Sequence, residues 1–321
     1  MHNLTFRPDG KVEFAYAGLP AWHKLGSELK SGASIEEWKT AAGLDWEIFE
    51  SGITYHSIDG EHNFPDKRVL FRSDSKAPLS VVGSDYNIVQ PGQVLEFFRD
   101  LTSLHGYELS AAGSLMGGKR FWATAQVGKS VKINGVDEVN GQLLLVSSAD
   151  STMSTQARFT STRVVCQNTM TIALSDNSKN FVKRTHRSEW DANETKLDLG
   201  ILDESWEKFS NGIKRLSEIE VTDQFVTDYF KSKFYAKNVE EKDQTWGAIK
   251  KVDQLMGLYR HGTGAELTKG TAWGLVNATT ELFTHGSSKG RDANKQFWDS
   301  SFGKADETKS DVFSDMMEMF A

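Results

Sequence analysis

The sequence predicts an α+β fold, with an antiparallel sheet and covering helices in the N-terminal half and a helical C-terminal half. Short runs rich in Val, Ile, Thr and aromatic residues, separated by turn residues, fill the first half and are typical of strands. The pair Gly117-Gly118 stands between two such runs, at 107–115 and 120–127, which indicates a hairpin. After Asn177, apolar residues recur at helical spacing instead.

The first ninety residues combine one short helix with a predicted meander. Ser34 is a candidate N-cap, and Glu residues follow it, so a helix is expected over residues 34–42. Residues 47–57, 67–73 and 79–86 alternate as strands do. We therefore expect three antiparallel strands in this part of the chain.

The middle of the chain is the part around which the rest is arranged. A helix is predicted to begin at Pro91, which suits a first helical turn, and to end before Gly106. After the glycine hairpin, residues 142–147 form an apolar run and residues 155–165 a second strand. From Cys166 the apolar spacing becomes helical, so a helix is expected there up to about residue 176.

The C-terminal half contains four predicted helices, at 201–219, 222–234, 243–259 and 270–285. The last carries polar and aromatic residues four apart, which suit a ligand contact, a packed polar network or a solvated face. These residues are Trp273, Asn277, Glu281 and His285. Residues 286–296 resemble a linker. By composition the chain divides into 1–90, 91–197, 198–303 and 304–321.

Composition narrows the function classes. The single cysteine, Cys166, excludes an internal disulfide and a cysteine-based zinc cluster, which fits a cytoplasmic protein. No run of 18 apolar residues occurs, so we expect no membrane association. The net charge is -7, but residues 109–187 hold ten Lys and Arg against four Asp and Glu. This local charge of +6 is typical of a surface that binds a large anion such as nucleic acid.

The basic segment predicts a non-catalytic protein that binds and anneals single-stranded DNA. Cations on strands would hold phosphates, and aromatic side chains would stack on bases. The predicted phosphate ligands are Lys119, Arg120, Arg158, Arg163, Lys183, Arg184 and Arg187. The predicted stacking residues are Trp122 and Phe159. No cofactor or metal is expected for this activity.

The last residues, 304–321, form an acidic and amphipathic tail that has two interpretations. Its acids alternate with Val312, Phe313, Met316 and Met319, which would suit the basic groove of a host or phage protein. In that case the tail would also compete with DNA for the basic segment. The same spacing equally fits a final helix packed on the core.

Two further functions remain open on the sequence. An enzyme acting on nucleic acid or nucleotides would use Asp150, Glu281 and His285, although no cluster of acids toward one metal is visible. A module that binds a host protein would use the acidic tail.

Five blocks of sequence, in one order along the chain, resemble a known family. They are residues 21–26 (AWHKLG), 86–91 (YNIVQP), 113–122 (GSLMGGKRFW), 163–174 (RVVCQNTMTIAL) and 270–285 (GTAWGLVNATTELFTH). Together they resemble the phage/plasmid-like family of unknown function, over about residues 15–290. The resemblance implies a phage or plasmid setting and no particular activity. The chain has Asp150-Ser151 where the family more often shows Asp-Gly.

The predicted order of helix, hairpin, further strands and helix is also similar to the core of Rad52-type single-strand annealing proteins. This similarity is one of architecture, with no shared motif. It implies a basic groove that holds the phosphate backbone, and it is compatible with a homo-oligomer.

Overall fold

The computed structural model describes residues 5–7, 9–18, 25–163, 168–171, 182–198, 202–286, 299–301 and 303–321. The described chain is α+β, with antiparallel sheet in the N-terminal half and helices in the C-terminal half, as predicted. It divides into two compact units that interleave along the sequence. The first unit contains residues 1–128, 142–159 and 179–201, and the second contains 129–141, 160–178 and 202–321. The four segments expected from composition stay a prediction.

Most of the strands lie wholly or partly in the first unit. The described strands are β1 (Phe14–Ala17), β2 (Ser27–Leu29), β3 (Ile48–Ser57), β4 (Gly60–Arg72), β5 (Pro78–Gly83), β6 (Glu108–Leu115), β7 (Arg120–Ile133), β8 (Asp137–Ser148), β9 (Thr155–Arg163), β10 (Asn168–Thr171) and β11 (Val182–Arg184). The larger sheet has the order β10-β9-β8-β7-β6-β1-β2, and β11 also pairs with β9. The predicted meander is confirmed as a separate antiparallel sheet, β3-β4-β5.

Helices belong to both units. The described helices are α1 (Ile35–Ala42), α2 (Pro91–His105), α3 (Ala192–Asp198), α4 (Leu202–Glu218), α5 (Asp223–Phe234), α6 (Trp246–His261), α7 (Ala272–His285) and α8 (Lys304–Met319). The N-cap predicted for α1 is confirmed, since the Ser34 hydroxyl accepts a hydrogen bond from the Glu37 amide at 3.2 Å. Within the described residues, no helix combines the length and the apolar character needed to cross a membrane.

The glycine hairpin between β6 and β7 is confirmed, and its geometry requires glycine. Gly117 and Gly118 have φ values of 72° and 94°, in the region that side chains disfavour. A Cβ on Gly118 would lie 2.7 Å from the Trp46 ring and 2.8 Å from an Arg72 nitrogen. The turn therefore packs closely on the Trp46 and Arg72 side chains, and this packing fixes the position where β7 begins.

A buried ion pair holds this turn in place. Arg72 and Glu13 are both almost fully buried, and their side chains lie 2.5 Å apart. Arg72 also pairs with Asp74 at 2.8 Å and donates to the Gly117 carbonyl at 3.3 Å. The hydrogen bonds from Arg72 lower the pKa of Asp74 to about 2. The cation thus joins the end of β4, the residue just before β1 and the hairpin turn through charge-assisted hydrogen bonds.

The helix predicted from Cys166 is wrong where the structure describes it. Residues 168–171 form β10 instead, which pairs antiparallel with β9 and sets Thr169 opposite Thr162. A short apolar run with β-branched residues fits a strand as well as a helix, and the neighbouring strand decides between them. The rest of the predicted helix lies outside the described residues, as do residues 287–296 of the predicted linker.

Candidate nucleic-acid interface

The start of β7 places two predicted phosphate ligands beside the turn that follows β8. The Lys119 carbonyl accepts a hydrogen bond from the Ala149 amide at 2.8 Å. The Arg120 guanidinium donates to the Thr152 hydroxyl at 3.0 Å, and its Nε lies 3.7 Å from an Asp150 oxygen. Both cations are partly exposed to solvent. Asp150 therefore balances part of the Arg120 charge.

The turn at Asp150 is closed by its own carboxylate. One Asp150 oxygen accepts from the Thr152 amide at 3.0 Å and from the Thr152 hydroxyl at 2.5 Å. Ser151 between them has φ 59°, in the left-handed region. This is the position where the resembled family more often has glycine, and glycine suits such a conformation. The turn nevertheless forms with serine.

Two aromatic rings pack behind this turn. The Tyr86 and His186 rings stack with centroids 4.5 Å apart, and the Tyr86 hydroxyl donates to the Ser148 carbonyl at 2.8 Å. His186 Nδ1 is 2.9 Å from the Asn87 carbonyl, so Nδ1 carries the proton and donates it. Burial raises the pKa of Tyr86 and lowers the pKa of His186. Both rings are thus held neutral near pH 7.

Three more of the predicted phosphate ligands lie on β11 or just after it. It pairs antiparallel with β9, with Lys183 opposite Gln156 and Arg184 opposite Thr155. Lys183 is exposed, and so is Arg187, just after the strand. Arg184 is partly buried and lies 3.3 Å from Glu194 of α3, which is a largely exposed acid.

These cations lie at the same end of the first unit's sheet. Arg184 lies opposite Thr155, whose hydroxyl is 2.8 Å from the Ser147 hydroxyl on β8. Two residues later β8 enters the Asp150 turn that Arg120 contacts. We call this surface the cationic sheet end. It consists of Lys119, Arg120, Lys183, Arg184 and Arg187.

Three other predicted residues are buried and cannot contact nucleic acid in this structure. Trp122, Arg158 and Phe159 are 8%, 5% and 2% exposed, and the Trp122 ring packs 6.0 Å from the Phe14 ring. Successive residues of β9 are buried, although their side chains point to opposite faces. Both faces of β9 are therefore covered, so the stacking assigned to Trp122 and Phe159 and the phosphate contact assigned to Arg158 are corrected. The Arg163 side chain lies outside the described residues.

Two of the three enzyme candidates, Asp150 and Glu281, serve local structure. Asp150 closes its turn, as described. The Glu281 carboxylate accepts the Thr263 amide, with both oxygens at 3.1 Å, and so anchors the loop after α6. His285 is partly exposed at the last turn of α7. Among the residues that the structure describes, no group of three or more His, Cys, Asp and Glu side chains is placed to hold a metal ion.

The polar stripe of α7 is a packed network along its first half. Trp273 and Asn277 are buried, and the Trp273 indole is 3.4 Å from an Asp137 oxygen. The Asn277 side chain donates to the Trp273 carbonyl at 2.9 Å. Of the three interpretations left open by the sequence, packing accounts for these two residues, since a solvated face would expose them.

The acidic tail is a helix packed on its own unit. Val312 and Met316 of α8 are fully buried. Asp315 of α8 is also engaged, since it lies 2.8 Å from the Lys233 ammonium and 2.6 Å from the Tyr229 hydroxyl. The second interpretation of the tail is therefore correct. An exposed apolar tail that competes for the basic segment is not what this helix provides.

Sequence reasoning missed the Tyr86 and His186 pair. The two residues are a hundred positions apart, and neither has a charged or repeated pattern around it that predicts the contact. Only the block 86–91 gave a signal, because it is one of the five that resemble a family. The structure shows why this block matters locally: its Asn87 binds the His186 backbone at 2.6 Å.

The comparisons agree with the family resemblance at its coarser level. The model of a family described as a domain of unknown function, DUF932, matches residues 78–310, which is most of the chain. No curated protein and no solved structure matches, so the likeness to Rad52-type proteins has no support from them. The matched range contains the β6–β7 hairpin, the Asp150 turn and the whole cationic sheet end. The chain therefore belongs to the DUF932 family of proteins with a domain of unknown function.

Proposed function

We propose that this chain binds single-stranded DNA through its cationic sheet end, as an annealing protein of a phage or other mobile element. The observation that supports the proposal is that two separate parts of the chain place cations at the same end of one sheet. Residues 119–120 contribute Lys119 and Arg120, and residues 183–187 contribute Lys183, Arg184 and Arg187. Among the described residues, Arg120 pairs with Asp150 and Arg184 pairs with Glu194. Five cations thus stand against the two acids of these ion pairs.

The burial pattern defines the kind of binding. Lys183 and Arg187 are exposed and can reach phosphates, whereas the Trp122 and Phe159 rings are buried. Contacts to phosphates would then supply most of the affinity, and such contacts do not read sequence. Affinity should fall with salt, by a logarithmic slope of about 0.7 for each phosphate neutralised on a single strand.

The test is fluorescence anisotropy of a labelled single-stranded oligonucleotide at two salt concentrations. The double variant Lys183→Glu, Arg187→Glu should lose binding at both. The matched control is Lys237→Glu, an exposed lysine on the second unit, which should bind as the unchanged chain does. Thermal melting of all three proteins should agree, since these are surface changes.

Two outcomes would overturn the proposal. One is an unchanged chain that does not bind at low salt, and the other is equal loss in the control and the double variant. The same oligonucleotide incubated with Mg²⁺ tests the enzyme alternative, because cleavage would favour catalysis over holding. Pairing of two complementary strands, followed by fluorescence quenching, then tests annealing itself.

A further inference from the structure

The β3–β4 hairpin extends beyond its sheet as a two-stranded arm. Residues 53–57 of β3 pair with residues 60–64 of β4, whereas β5 pairs with β4 only at residues 67–71. Most residues of the arm, which we define as residues 52–66, are exposed. Within the arm, β3 and β4 therefore each have a neighbouring strand on one side only. Each presents backbone N–H and C=O groups on its other side.

The two edges of the arm differ in how they are protected. The β4 edge carries Glu61, Pro65 and Asp66, together with an irregularity in pairing beside Gly52. Charges, proline and bulges are the devices that keep an edge strand from pairing with another chain. The β3 edge, residues 52–58, has the sequence GITYHSI and contains no Lys, Arg, Asp, Glu or Pro. One edge is blocked by its side chains and the other is open.

At its base, the chain closes the β3 edge itself. The Gln90 side chain accepts from the Ile48 amide at 2.7 Å and donates to the Ile48 carbonyl at 3.1 Å, as a neighbouring strand would. Backbone groups alternate in direction along an antiparallel strand. The groups of Thr54 and His56 therefore point outward on the same side as those of Ile48, while Ser57 closes the two-residue turn with Gly60.

One face of the arm is apolar and exposed. Ile53, Tyr55 and Phe64 lie on this face, because Ile53 is opposite Phe64 in the register. Tyr55 and Phe64 are 51% and 44% exposed. A hairpin of two strands is marginally stable in water, and three or more strands with an apolar face are usually needed. The arm therefore gains from an added strand.

We propose that β3 of one copy pairs antiparallel with β3 of a second copy, around Tyr55, to form a four-stranded sheet. Charge supports a second copy as the occupant. Pairing of two β3 edges brings no like charges together, since residues 52–58 contain no Lys, Arg, Asp or Glu. Pairing of two β4 edges could instead set Glu61 of one copy opposite Asp66 of the other, and like charges opposite each other are destabilising. The contact is also self-complementary, as a two-fold interface requires.

In the proposed dimer, the apolar face of the arm continues across the β3–β3 interface from one copy to the other. In the proposed register Thr54 pairs with His56 of the second copy by backbone hydrogen bonds, and the two Tyr55 rings lie side by side. Aromatic pairs across strands stabilise such sheets. The contact is short, so it belongs with small and transient interfaces, and the dimer should dissociate on dilution.

The test is sedimentation velocity of the full chain, without DNA, over a dilution series. The unchanged chain should shift from dimer to monomer on dilution. Thr54→Lys with His56→Lys should be monomeric throughout, since lysine is a natural guard of strand edges. Asn63→Lys is the matched control, because Asn63 is exposed and lies opposite Thr54 on the other edge. It should dimerise as the unchanged chain does.

Amide hydrogen exchange gives an independent readout. The Thr54 and His56 amides should become protected as the protein concentration rises, and the Asn63 amide should not. A chain that stays monomeric, with the Thr54 amide exchanging freely at all concentrations, overturns the proposal. It is overturned in the same way if the β3 edge pairs with another protein and not with a second copy. Equal dissociation of the Thr54/His56 variant and the Asn63 variant would overturn it as well.

Discussion

The strands β9 and β11 lie side by side and both carry basic residues, yet these residues differ in their exposure to solvent. Arg158 on β9 is 5% exposed, while Lys183 on β11 is exposed. β9 has β8 on one side and β10 and β11 on the other, and residues on both its faces are buried. The sequence therefore predicts the sign of a region's net charge. The position of each strand in the sheet decides which of the charged side chains are exposed to solvent.

The largest expected effect is at the buried member of this comparison. Arg158→Glu places an anion at a position that is 5% exposed, and burying an ion costs several kcal/mol. Lys183→Glu, one strand away, should change the free energy of unfolding by less than about 0.5 kcal/mol. Urea unfolding of both variants gives the measurement. A stable Arg158→Glu variant would mean that this side chain reaches solvent.

The comparison extends to the acidic tail, where burial again separates neighbours of one chemical type. Met316 is fully buried and Met319 is largely exposed, although both lie on α8. Met316→Ala should cost about 2–5 kcal/mol through lost contacts and a cavity. Met319→Ala should cost less than about 0.5 kcal/mol. Equal effects of the two changes would mean that α8 is not packed on its unit.

Local signals predicted much of the fold. Pro91 and Gly106 bound α2, Ser34 caps α1, and Gly117-Gly118 forms the turn between β6 and β7, because each depends on the conformational preference of one or two residues. These preferences act within a turn of the chain. They need no knowledge of what packs nearby.

Contacts between distant residues account for what the sequence did not predict. β10 is a strand because β9 lies beside it, and Arg158 is buried because sheet order surrounds it. The stacking of His186 on Tyr86 likewise joins segments far apart in sequence. Of the site, the sequence therefore predicted the positive sign and five exposed or partly exposed cations, and it could not predict which aromatic residues are buried.

A smaller effect is expected from pH at the buried histidine. Burial holds the pKa of His186 below its usual value, so the unfolded chain binds a proton more readily than the folded chain does. Stability should therefore fall as the pH drops below about 6.5. His186→Phe keeps the stacking on Tyr86 and removes this titration, so its melting temperature should depend less on pH between about 7 and 5.

A control substitution and the other titrating groups can both be told apart from His186. His261→Phe, at an exposed position at the end of α6, controls for the histidine-to-phenylalanine change itself. The carboxyls of Asp74 and Glu96 have pKa values of about 2, so their contribution is lost only in more acidic solution, as the pH falls from about 4 toward 2. An unchanged profile for His186→Phe between pH 7 and 5 would contradict the assignment of a neutral, buried ring.

The smallest expected effect concerns the turn beside the cationic sheet end, where only the backbone differs between two serines. Ser151 has φ 59°, a conformation that costs a side chain about 1–2 kcal/mol, and Ser188 is an exposed serine that is not among the residues with positive φ. In Ser151→Gly the relief of this cost outweighs the loss of about 0.5–1 kcal/mol that glycine brings through its flexibility when unfolded. The variant should melt slightly higher than the unchanged chain, while Ser188→Gly should melt slightly lower. Differential scanning calorimetry of the two variants therefore shows whether the backbone conformation at residue 151 favours glycine over serine. A lower melting temperature for Ser151→Gly would show that the Asp150 turn does not hold residue 151 in the left-handed region.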